Sequence, residues 1–154
     1  MKKISKEIIQ FFQDQGFVVV STIDKNGSVH NSCKGIVSIG KSGEVYLLDL
    51  YRGKTFENLK RNSHMSITAV DEHSFQGYCL KGKAKKVQVD NFKAGILKAW
   101  EDRLTGRITQ RVIKNIHGEK GHPRQPEALL PRPEYLIVVE VNSIVDLTPG
   151  QLKK

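Results

Sequence analysis

The stretch GEVYLLDLYRGKTFENLKRNSHMSI, residues 43–67, decides the fold. EVYLLDL (Glu44–Leu50) is dense in apolar and aromatic residues and reads as a strand. TFENLKRN (Thr55–Asn62) has the composition of a short helix, with Thr55 placed to cap its start. His64–Val70 reads as the next strand. Between the first strand and the helix lies Tyr51-Arg52-Gly53-Lys54-Thr55. It brings two cations, a permissive glycine and the free N–H groups of a helix N-terminus to one turn, a combination suited to phosphate. The same residues also read as an ordinary solvated turn. A nucleotide-binding P-loop is excluded, because it needs glycine five residues before Gly53 and Leu48 stands there.

Working outward, Ile4, Ile8, Phe11 and Phe12 recur at helical spacing, and Gly16 sits where that helix stops. FVVVSTI (Phe17–Ile23) is a β-branched strand, Asp24–Gly27 a turn, and Ser28–Ile39 a second strand closed by the turn Gly40–Gly43. Downstream, Ser74–Val89 reads as a long strand in which Gly77 and Gly82 mark bulges or bends. Asp90 precedes a helical run, NFKAGILKAWEDRL, with Phe92, Ile96, Leu97 and Trp100 on one face. Ile108, Val112 and Ile116 add a helical turn or two. Gly118–Pro133 holds four of the five prolines and reads as an irregular loop. EYLIVVEV (Glu134–Val141) is a buried strand. Six sequential strands with short turns and about three helices predict a mainly β, closed or nearly closed antiparallel barrel. An open α+β sheet is the alternative.

The 154 residues fit a single domain spanning 1–154. With 38% hydrophobic and 27% charged residues, the composition is that of a soluble globular chain. No apolar run approaches the roughly 20 residues that span a bilayer. MKKISKEIIQFF is interrupted by Glu7 and Gln10 and does not read as a signal peptide. Two cysteines are too few for a disulfide scaffold, so reduced thiols and a cytoplasmic setting are expected. The balance of 25 Lys+Arg against 16 Asp+Glu gives +9 and favours an anionic partner.

In the second strand, His30, Asn31, Ser32, Cys33 and Lys34 put polar groups on both faces, which suits either a wet edge strand or a strand that meets a polar ring. His30 and Cys33, three apart, point to opposite faces, and His117 and His122 lack cysteine partners at zinc spacing, so no metal site is expected. Nothing in the sequence supplies a base for Cys33, and no serine triad or carboxylate pair is evident. Lys81, Lys83 and Lys85 share a face. Arg103, Arg107, Arg111, Lys114, Lys120 and Arg124 form a basic stretch with no interleaved aromatic residue, which argues against nucleic acid.

These pieces, in this order, resemble the FMN-binding split-barrel family related to pyridoxamine 5'-phosphate oxidase. The resemblance runs from Phe17 to about Val89 and rests on residues 43–67 and on GYCLKGKAKKV, similar to the family's hydrophobic-x-G-x-A-x-x-V strand. It implies a six-stranded split barrel with flanking helices, a homodimer, and FMN at the subunit interface. It assigns His30, Asn31, Ser32, Cys33, Lys34 and Gly35, with Leu48 and Asp49, to the isoalloxazine and ribityl chain. It assigns Arg52, Gly53, Lys54 and Thr55 to the phosphate, followed by Asn58, and gives Gln76 to the FMN of the second subunit. His30 stands where the family often has arginine. The C-terminal Arg- and His-containing substrate segment of true pyridoxamine phosphate oxidases has no match near TPGQLKK, so the family's substrate residues do not carry over.

The expected function is that of an FMN-dependent oxidoreductase with no catalytic side chain assigned, because the flavin supplies the redox chemistry. Its substrate would be a small molecule, either an anion or a reduced nicotinamide, whose negative charge Arg107 and Arg111 would favour. A non-enzymatic flavin or electron carrier, and a barrel holding deazaflavin or haem, are the alternatives.

Overall fold

A computed structural model describes residues 1–119 and 126–153. Helix α1 (Lys6–Asp14) leads into β1 (Val18–Ile23), β2 (Val29–Ile39) and β3 (Glu44–Asp49). Helix α2 (Lys54–Arg61), β4 (His64–Asp71), β5 (Gln76–Gln88), α3 (Ala94–Ile116) and β6 (Tyr135–Asp146) follow. The strands close into a barrel in the order β1-β2-β3-β6-β5-β4, with every neighbour antiparallel. The closed six-stranded form answers the choice the sequence left open.

Inward residues alternate along the strands, as the pleat requires. Val18, Val20, Ile36, Val45, Leu47, Ile67, Leu80, Ile137, Val139 and Val141 fill the interior, joined by Ile4 and Phe12 from the N-terminal segment. In β2 the register shifts between Ile36 and Ser38. Val37 thereby joins Leu48, Leu136 and Val138 in a second cluster, against which Phe92, Ile96, Leu97 and Trp100 pack. This cluster fixes the first half of α3 beside the strands that border the site. Gly82 sits at a register shift in β5–β6, where a Cβ would collide with the Glu140 carbonyl oxygen. Gly77 marks no bulge: its pairing with Val70 is regular, and it allows close packing of Val70 and Leu147.

Several boundaries differ from the sequence reading. Thr55 is not the N-cap of α2. Gly53 holds that position without a side-chain bond, and the Thr55 hydroxyl turns inward to Ser32. Asp90 does not cap α3, which starts at Ala94 after a turn that passes through Asn91 at φ 58°. The helix then runs unbroken for 23 residues, absorbing Ile108, Val112 and Ile116. Strand β6 continues past Val141 to Asp146, pairing with β5 through the polar Ser143. Part of the expected loop 118–133 lies outside the described residues, and Pro126–Leu129 forms a 3-10 turn. No helix among the described residues is long and apolar enough to cross a membrane.

Candidate functional site

A groove of about 340 Å³ lies between the β2–β3 side of the barrel and α3. Cys33, Lys34, Gly35, Leu48 and Asp49 border it on the strand side, and Trp100, Arg103, Leu104 and Arg107 on the helix side. Phe17, Tyr51 and Leu130 complete its rim. Tyr51 is the last residue of this lining before the basic turn, so the groove leads toward the start of α2.

That helix start is uncapped by any side chain. The N–H groups of its first turn therefore have no partner within the helix. Lys54 Nζ lies 3.2 Å from Asp24, and Arg52 Nε lies 3.4 Å from Glu134. Both cations are half exposed or more, so these pairs hold them loosely. Asn58 sets the geometry beneath. It is buried and donates to Thr22 Oγ1 at 3.1 Å and Asp24 Oδ1 at 2.7 Å, while Arg61 donates to its carbonyl at 2.8 Å. The Asn58 hydrogen bond, followed by Lys54, holds the Asp24 carboxyl below its usual range. Asn58 thus orients Asp24, which in turn orients Lys54.

The structure divides the sequence-assigned residues among several places. Cys33, Lys34, Gly35, Leu48 and Asp49 gather at the groove, whereas Arg52, Gly53, Lys54 and Thr55 form the turn and helix start that follow its rim residue Tyr51 in sequence and do not line it. Ser32 ties the two regions together through a 3.0 Å contact between its hydroxyl and that of Thr55. Lys34 is buried and forms an ion pair with Asp49, which also accepts from the Tyr135 hydroxyl and, at 2.9 Å, from the Leu50 N–H. Burial, then the Asp49 contact, pushes the Tyr135 phenol up. The Leu48 side chain belongs to the second core cluster. His30 pairs across from Thr22, and exposed Asn31 accepts from Ser21 Oγ at 2.7 Å. Gln76 stands opposite Asp71 at the β4–β5 hairpin and borders no part of the groove in the same chain. Among the described residues no cluster could hold a metal ion.

Sequence reasoning gave Arg107 and Arg111 to an anionic substrate but did not foresee that Trp100, Arg103, Leu104 and Arg107 form a wall of the groove. The four-residue spacing of Arg103, Arg107 and Arg111 was a usable signal for one basic face. Glu127 was not foreseeable from it. This buried carboxylate receives both terminal nitrogens of Arg111 and lies 3.9 Å from Arg107 Nε, fastening the 3-10 turn to α3. The Arg111 hydrogen bonds hold the Glu127 carboxyl below its usual range. A carboxyl lowered by folding adds stability above its unfolded value, about 4.3, and loses it as pH falls through the lower folded value. Glu127→Gln should therefore lower the melting temperature at neutral pH. The gap to wild type should shrink below about pH 4. A gap unchanged from pH 7 to pH 3 in thermal melts would discard this role.

A split barrel with a basic turn beside an outer groove defines the class. A family model described as pyridoxamine 5'-phosphate oxidase matches residues 4–130. The chain belongs to the pyridoxamine 5'-phosphate oxidase-like split-barrel family. No curated protein matches it. Among solved structures, it is similar to Group A Streptococcus HupZ at 17% identity, covering 96% of each chain, with a TM-score of 0.64. It is also similar to a Clostridium acetobutylicum protein of the pyridoxinephosphate oxidase family, related to general stress protein 26. That match has 13% identity, covers 97% of this chain and 100% of the other, and has a TM-score of 0.58. HutZ, a heme storage protein from Vibrio cholerae, matches at 14% identity, 94% of each chain and a TM-score of 0.52. At these identities the structural likenesses establish the fold.

Proposed function

We propose that this protein binds FMN along the groove and acts as a flavin-dependent oxidoreductase on a small substrate. The observation that carries the reading is that, of the groove-bordering segments Cys33–Gly35 and Leu48–Tyr51, the second runs directly into the uncapped, doubly cationic start of α2, with glycines at positions 35 and 53. A Cβ on Gly35 in the groove, or on Gly53 at the helix mouth, would meet nothing within 4 Å. Neither has the positive φ that demands glycine. Glycine inside a strand weakens it, and one use of such a residue is to let a ligand approach the backbone closely. Here the two bare sites fall where a flat ring and its phosphate would lie. The residues fit FMN: Lys54, Arg52 and the α2 N–H groups would take the phosphate, and Cys33–Gly35 with Leu48–Tyr51 would border the ring. Bound flavin would supply the two-electron chemistry, while the chain's own residues bind, orient and shield it.

We further propose a cytoplasmic homodimer, in keeping with two unbridged cysteines and with the resemblance that gives Gln76 to the partner's cofactor. Closed two-fold dimers are the commonest oligomers. Purified protein should be yellow, with a flavin absorption spectrum, and should oxidise or reduce a substrate in step with bleaching of that colour. Light scattering should give twice 17.4 kDa. A colourless protein that takes up no FMN, or a lone monomer at micromolar concentration, counts against these readings. Haem is a second reading, favoured by the likeness to HutZ, and a haem spectrum with no flavin bands would select it.

A further inference from the structure

Two cavities meet at Arg107. The groove shares Gly16, Arg103 and Arg107 with a wider cleft of about 570 Å³ between the end of α1 and the middle of α3. The two compartments differ in chemistry. The groove has the aromatic residues Phe17, Tyr51 and Trp100, whereas the cleft adds Arg111 and Lys114 to the shared arginines. Arg103, Arg107 and Arg111 follow at four-residue steps and share a helical face.

The outer two arginines are already engaged. Arg103 donates to the carbonyls of Gln13 and Gln15, each at 3.3 Å, and so closes the end of α1. Arg111 is held by Glu127 through both terminal nitrogens. Among the described residues, Arg107 has only the 3.9 Å approach to that same carboxylate. Its guanidinium lies 3.5 Å from where a Gly16 Cβ would be, at the junction of the two cavities. Lys114 has no ion pair among the described residues. Four cations border this region against Asp14 and Glu127, which leaves a positive surplus centred on Arg107 and Lys114.

We propose that the cleft binds the diphosphate of a nicotinamide dinucleotide, with the nicotinamide end turned toward the flavin at the mouth of the groove. The proposal names the electron donor for the flavin reading and rests on it. With FMN along the groove, a small carboxylic acid would leave the cleft empty. A molecule with a flat ring at one end and a doubly charged middle suits a cationic cleft that opens onto the ring site. Guanidinium groups recognise phosphate oxygens through directed, charge-assisted hydrogen bonds, and of the three arginines on this face Arg107 has the most capacity unused among the described residues.

The test titrates the full chain, as purified and after loading with FMN, with NADH, NADPH, ADP-ribose and inorganic pyrophosphate, using calorimetry. FMN affinity and melting temperature are recorded for every variant. ADP-ribose and both dinucleotides should bind, pyrophosphate should compete, and affinity should fall as salt rises. Arg107→Gln should weaken dinucleotide binding at least about tenfold, the loss of roughly one charge-assisted contact. Arg107→Lys should fall between, Lys114→Gln should lose severalfold, and exposed Arg132→Gln should match wild type. FMN affinity should stay unchanged in Lys114→Gln and Arg132→Gln, and in the Arg107 variants, where the side chain also borders the groove, it should fall less than dinucleotide affinity. No dinucleotide binding at millimolar concentration overturns the proposal, as does an Arg107→Gln protein that binds as wild type does. Failure of the two readings separates cleanly. FMN uptake without dinucleotide binding removes only the cleft assignment. Arg107-dependent dinucleotide binding in a protein that refuses FMN keeps the cleft and removes the flavin.

Discussion

Lys54→Ala should weaken FMN at least about tenfold while leaving riboflavin affinity nearly unchanged. Two effects act together. The ammonium is lost from a phosphate that carries close to two negative charges. The Asp24 carboxylate, fixed by Asn58 at 2.7 Å, then faces the phosphate with no cation between them. A hydrogen bond to a charged group is worth about 1.5–3 kcal/mol. Lys54 is largely exposed in the free protein, so water replaces part of what is lost and the low end of that range applies. Riboflavin lacks the phosphate and should bind wild type far more weakly than FMN. Asp24→Asn should tighten FMN slightly, because it removes the competing carboxylate. The fold should persist in each variant, since Lys54 anchors no core contact. Calorimetric titration of the apoprotein with both ligands reads the outcome. Equal binding of FMN and riboflavin by wild type, or full FMN affinity in Lys54→Ala, would sink the phosphate assignment.

The largest loss of stability is expected from Lys34→Met. Lys34 and Asp49 form a buried pair, and the Asp49 carboxylate has two further donors, Tyr135 and the Leu50 N–H. Replacing the lysine by an apolar chain of similar length keeps the packing but strands a carboxylate inside the barrel. Removing one partner of a buried ion pair costs about 3–5 kcal/mol. The double variant Lys34→Met with Asp49→Asn should recover much of that loss, because neutral amide and phenol can still pair. Urea unfolding of wild type, both single variants and the double variant gives the coupling. Additive losses in that cycle would mean that the pair is not coupled and that the groove wall is held by packing alone.

Residues 43–67 made the strand, basic turn and helix legible, because apolar patterning and the Arg-Gly-Lys sequence are local signals. The barrel closure was suggested by strand count, but the β3–β6–β5 order was not, since it depends on pairings between distant segments. Thr55 misled for a physical reason: a threonine at a helix start is normally a cap, yet the half-buried Ser32 hydroxyl offers it a partner from β2. The helical run and its apolar face at Ile96, Leu97 and Trp100 were legible, but not that Trp100, Arg103, Leu104 and Arg107 wall the groove, because that depends on where α3 packs on the barrel. Glu127 reaches Arg111 from beyond a proline-rich segment, and no spacing rule links them. Lys34 and Asp49 were singled out as ligand contacts, and the ion pair that joins them could not be read from positions fifteen residues apart.

The strand order has a consequence for how the chain is made. The last strand in sequence, β6, lies between β3 and β5, and Tyr135 meets Asp49 across 86 residues. On the ribosome, every strand but that one emerges first, leaving a slot one strand wide with an unpaired edge on either side. Such edges invite pairing with other chains until they are filled. Strand β6 therefore acts as a keystone: the nascent chain must keep its slot open and unmated until this strand, beginning 86 residues after Asp49, has been made and drops in.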